Sequence, residues 1–147
     1  MDIKNMRNVI VSLSLVFGLL FTVSGIIEII IGLYSILGFK IELPLFVGDV
    51  FGGLALLAVG IAYFLGVKKA VDRDIKAVSY LFTASIIGLG IGVIAFLILI
   101  SDAIGFLLGF EDWADWGFFN DLTVYLVLGM LAIIPYRIAK IISSSTT

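Results

Sequence analysis

The chain has 147 residues, of which 62% are hydrophobic and 14% charged, with a mean hydropathy of +1.26 and a net charge of −2. Soluble domains are roughly half apolar and hide one face of each element, so this composition excludes a soluble fold and defines an integral membrane protein. Cys and His are both absent, which removes disulfides, thiol redox chemistry, Cys/His zinc or haem ligation and imidazole acid–base catalysis.

The first apolar run, Val9 to Phe39, predicts a span over about residues 9–38, longer than the roughly 20 helical residues that cross a hydrocarbon core of about 30 Å. Lys4 and Arg7 ahead of a run reaching Ser24 and Gly25 also fit a signal peptide, but the run continues to Phe39, so an uncleaved span is the simpler reading. At about 100° per residue, Ser14, Gly18, Gly25, Glu28 and Gly32 share one face. Lipid gives helices no hydrophobic reason to meet, so close backbone approach over such small residues supplies the dispersion contacts that hold them together.

A short hairpin with Lys40, Glu42 and Pro44 leads to a second span, predicted over 45–67. One of its faces carries Asp49, Gly52, Gly53, Gly60 and Tyr63, and the opposite one carries Ala55, Ala58 and Ala62, so it can touch neighbours on two sides. The loop from Lys68 to Lys76 contains Lys68, Lys69, Arg73 and Lys76 together with Asp72 and Asp74. Its acids dilute any attraction to anionic lipid, and topology alone accounts for its bases.

The third span, over 78–100, has no charge inside it and carries a ridge of Ala84, Gly88 and Gly92. Gly90-Ile91-Gly92-Val93-Ile94-Ala95 matches a dinucleotide fingerprint in letters only, since that fingerprint works at a strand-to-helix turn and this string lies within a span. From Asp102 to Asp121 there is no Lys or Arg. Asp102, Glu111, Asp112, Asp115 and Asp121 stand there among Trp113, Trp116 and four Phe residues. This surface reads either as an interfacial aromatic belt whose acids face water, which is the simpler reading, or as a cation-concentrating mouth or docking face. The acids lack the spacing of a calcium loop, and no metal site is expected.

The fourth span, predicted over 118–140, includes Tyr125, Gly129, Ala132 and Tyr136 and needs Arg137 and Lys140 to snorkel to the headgroups. Residues 143–147 read as a polar tail. Lys and Arg divide eight to one between the two sides, Lys40 being the one. The positive-inside asymmetry therefore predicts cytoplasmic termini and a cytoplasmic central loop, in a multi-pass protein of the cell membrane.

The predicted fold is all-α: a single domain forming an antiparallel four-helix transmembrane bundle. An offset of 71 residues places Leu37-Gly38-Phe39 on Leu108-Gly109-Phe110 and Asp49 on Asn120. Apolar segments align readily by chance, which is the simpler explanation. A true duplication would carry span three on to about Gly109 and match Trp113–Asp121 to the first hairpin and the start of span four.

Glu28 and Asp49 are the only ionisable residues well inside apolar runs, and the hairpin brings their regions together. A close pair could exchange protons or hold a cation, with Ser14, Thr22 and Tyr63 as further oxygens. The bland alternative, which weighs more, is a protonated Glu28 donating to a carbonyl while Asp49 sits in water. The expected role is accordingly a non-enzymatic accessory or scaffold subunit, or a self-associating membrane protein. Its packing would run through Gly18, Gly25, Gly32, Gly53, Gly60, Ala84, Gly88, Gly92 and Gly129. A homo-oligomeric proton- or cation-linked transporter or channel is the alternative. The expected partners are the bilayer and copies of itself or other membrane subunits. No cofactor is expected, and no nucleic acid, because no Lys/Arg cluster exists to bind phosphates.

Overall fold

A computed structural model describes residues 3–144. Its long helices are α1 (Ile3–Ile36), α2 (Val50–Val71) and α3 (Ala77–Leu107), and the fourth span is made of α4 (Val124–Leu131) and α5 (Ile133–Ser144). Among the described residues these give four segments long and apolar enough to cross a membrane. Residues 145–147 of the predicted tail lie outside the described residues, and Ser143 and Ser144 complete α5 instead of standing apart from it.

Each span differs from its predicted limits for a local reason. The second helix starts at Val50, not Leu45, because Leu45 and Gly48 have φ of 72° and 77° and Asp49 closes the turn as the N-cap. The fourth starts at Val124, not 118: Phe118–Asn120 is a 3₁₀ turn, and the Thr123 side chain caps the helix that follows. This span is broken at Ala132. Pro135 has no N–H to offer the Leu131 carbonyl one turn earlier, and its ring crowds that carbonyl, so α4 ends at Leu131.

The third helix runs to Leu107 and stops in the same turn as the first. After α1, Phe39 N–H bonds Tyr34 C=O and Gly38 N–H bonds Ser35 C=O; after α3, Phe110 bonds Gly105 and Gly109 bonds Phe106. Both turns pivot on a left-handed glycine, Gly38 or Gly109. The 71-residue offset thus holds through both helix ends and is lost afterwards, since α4 begins at Val124 whereas the offset carries Val50 onto Asp121.

Small residues set the helix contacts. A Cβ on Gly25 would lie 2.7 Å from the Gly53 carbonyl oxygen, and one on Gly53 would lie 2.7 Å from that of Gly25, so α1 and α2 touch backbone to backbone. At the other interface a Cβ on Gly92 would lie 2.7 Å from Gly129 Cα, joining α3 to α4. Gly18 lies against the Phe64 ring, Gly60 against Thr22, and Gly88 against Phe21 and Ala132. Ala84 is fully buried. Around these contacts Phe21, Leu56, Val59, Tyr63 and Leu81 form the fully buried core, while the opposite face of α2, with Ala55 and Ala58, stays exposed.

Candidate functional site

Glu28 is fully buried on the face of α1 that meets α2. Its Oε1 accepts a hydrogen bond from Val47 N–H at 3.2 Å, and its Oε2 accepts from Gly48 at 2.6 Å and Asp49 at 3.0 Å. The connection can lie this close because Gly48 has no side chain: a Cβ there would strike Ile31 Cγ2 at 2.6 Å, and the φ of 77° is one that side chains resist. Gly32, one turn along α1 from Glu28, clears space for the Gly48 carbonyl in the same way.

Asp49 sits beside this anchor but points elsewhere. Its Oδ1 accepts from Phe51 N–H at 2.9 Å and so caps its own helix, while its backbone N–H goes to Glu28. In a capping box a glutamate of the same helix takes that backbone donor; here α1 supplies the carboxylate. The structure therefore brings Glu28 and Asp49 together, with Asp49 at the exposed edge and Glu28 inside. Glu28 accepts from three N–H groups and does not follow the pattern of an acid donating to a carbonyl.

The same connection reaches the fourth span. The Leu45 carbonyl, aimed by a left-handed backbone, accepts the N–H of Val124 at 2.7 Å, satisfying one of the free donors at the start of α4. The next residue, Tyr125, buries its hydroxyl over Gly52 next to Asp49 Oδ2, facing both carboxylates. Leu45, Gly48, Thr123 and Tyr125 are site residues that patterning alone does not single out. The available signal is Gly48 directly before an Asp at the head of an apolar run, which marks a tight turn into an N-cap.

The other candidate oxygens lie deeper. Thr22 Oγ1 faces Gly60 and Ser14 Oγ faces Gly66; both are buried without a hydrogen-bond partner among the described residues. Thr22 stands about 9 Å below Glu28 along the helix. Tyr63 donates to Ser85 Oγ at 3.2 Å, and Ser85 donates to the Leu81 carbonyl at 2.6 Å, so that hydroxyl pair ties α2 to α3.

The acidic, aromatic segment largely bonds to itself. Trp113 Nε1 donates to Asp102 Oδ1 at 2.9 Å, with its ring against Gly105, and Trp116 Nε1 donates to Asp121. Glu111, Asp112 and Asp115 are exposed, and among the described residues no three acidic side chains converge to hold a metal ion. No hydrogen bond joins these carboxylates to Glu28 or Asp49 among the described residues.

Four apolar helices, closely packed through glycines and locked by a carboxylate-held hairpin, define a polytopic integral membrane domain. The chain belongs to the family described as MJ0565 integral membrane domain, which it matches over residues 4–141. No solved structure matches it.

Proposed function

We propose that this domain is a non-catalytic packing component of a membrane assembly, either an accessory or scaffold subunit or a self-associating protein, with both termini cytoplasmic. The observation that carries this reading is the state of Glu28. A carboxylate kept for proton or cation exchange needs free lone pairs on an accessible path, whereas this one is fully buried and takes three backbone N–H groups of the next connection. The most costly polar group in the bundle thus acts as a fastener. The exposed Ala55 and Ala58 leave α2 a small-residue face for a neighbour.

The test is native mass spectrometry of the particle extracted gently from its own membrane. Other subunits at fixed stoichiometry, or a discrete oligomer of this chain, support an assembly role, and a monomer without partners argues against it.

A transporter is the second reading, favoured by the Tyr125 hydroxyl that faces both carboxylates and by the Thr22 and Ser14 hydroxyls deeper along α1, unpartnered among the described residues. Proton or cation flux into reconstituted vesicles that disappears in folded Glu28→Gln and Asp49→Asn variants would establish it over the first.

A further inference from the structure

At the basic end of the bundle a cleft of about 1250 Å³ opens between α1, the α2–α3 connection, α3 and α5. Three cations line it, each from a different segment: Arg7 on α1, Arg73 in the connection and Lys140 on α5. Among the described residues none of them has an acidic partner, since the one ion pair there joins Lys69 to Asp74 at 3.0 Å. Asp74, the acid in the lining, is thereby occupied. Its carboxylate also accepts from Lys76 N–H at 2.9 Å, and that bond, with the Lys69 ammonium, holds its carboxyl below the usual range. Within the lining, three cations therefore face one acid, whose charge the Lys69 ammonium partly offsets.

The lower walls are apolar, formed by Met6, Ile10, Val78 and Phe82. Ile75, at the rim, is 89% exposed. The first residues of α3, Ala77, Val78 and Ser79, also line the cleft, with the Ala77 N–H held by the Asp74 carbonyl at 3.1 Å. Arg73 itself has φ of 58°, in the turn that ends α2. Gly38 and Gly109 occupy the equivalent positions after α1 and α3, so an arginine here is held against backbone preference.

We propose that this cleft binds the headgroup of an anionic phospholipid from the surrounding bilayer. The phosphate lies among Arg7, Arg73 and Lys140, and the start of an acyl chain lies on Ile10, Val78 and Phe82. The charge calls for an anion and the apolar floor for a hydrocarbon continuation, and a bilayer lipid supplies both. The volume exceeds the ~300–1,000 Å³ of ordinary small-molecule sites. The inference is independent of the assembly role proposed above.

The experiment uses the full chain reconstituted in equal phosphatidylglycerol and phosphatidylcholine, extracted gently, with retained lipid counted by native mass spectrometry. The wild type is expected to keep phosphatidylglycerol preferentially. Arg73→Gly should lower that preference about five-fold, the effect of one interfacial cation. Because glycine suits the left-handed turn, its thermal midpoint should hold or rise, which separates lost binding from lost folding. Arg7→Gln with Lys140→Gln should lower the preference further, whereas Lys40→Gln, at the other end of the bundle, should leave it unchanged. Equal retention of the two lipids by the wild type overturns the proposal, as does an unchanged preference in all the cleft variants. Displacement of the bound lipid by millimolar inorganic phosphate also overturns it, by identifying a site for a free anion.

Discussion

Glu28 joins three parts of the chain through one carboxylate. It holds the N–H groups of Val47, Gly48 and Asp49, and that connection presents the Leu45 carbonyl to Val124 at the head of α4. Replacing it by Gln keeps the size but turns an NH₂ toward at least one of these N–H donors, leaving it unmatched. Glu28→Gln should therefore destabilise the protein by about 1–3 kcal/mol in detergent denaturation, with faster amide exchange at Val124. Asp49→Ala removes only a helix cap at the exposed edge and should cost about 1 kcal/mol. If Glu28→Gln unfolds like the wild type, the carboxylate does not fasten the hairpin. That Glu28 mattered was legible from its charge inside an apolar run. Which groups it would meet was not, because its partners are backbone donors of a connection whose hydropathy matches that of the next helix.

Helix contacts follow from where a Cβ can fit. Gly90 and Gly92 lie two residues apart in α3, yet Gly90 has open space around it while Gly92 rests on the backbone of Gly129. Gly90→Ala should raise stability by roughly 0.5–1 kcal/mol through reduced backbone freedom. Gly92→Ala should lower it, since nothing flexible stands in the way to yield. Opposite shifts in thermal midpoint check the pair, and equal shifts would mean that α3 and α4 do not meet there. The glycine ridges were readable from spacing, since a helix repeats at 3.6 residues wherever it lies. The break at Ala132 was readable too, in Pro135, but the predicted fourth span did not use it.

For the whole molecule, charge decides orientation and packing decides neighbours. The eight-to-one division of Lys and Arg predicts that the ends of the chain and the α2–α3 connection share the cytoplasmic side. The chain has no cysteine, so Ser144→Cys and Asp112→Cys can be labelled against no background in intact cells. An impermeant maleimide should reach Cys at 112 and spare Cys at 144, and the reverse pattern would invert the topology. The same division of charge concentrates cations at one end. Only the folded chain selects Arg7, Arg73 and Lys140 from that set, because they come from segments far apart in sequence, and Lys69 pairs with the acid beside them.

The solvent, the number of spans and the small-residue faces are written in hydropathy, length and helical period, local properties that the bilayer reads directly. The roles of the polar groups emerge only in the folded chain. The turn at Leu45 and Gly48 displaced the start of α2 and turned Glu28 into a fastener, and Tyr125 reached the two carboxylates from a helix some hundred residues from α1. The physical reason is that an apolar face needs only a neighbour of the right kind, whereas a buried polar group needs a particular donor or acceptor within about 3 Å. That partner exists only once the chain has closed on itself.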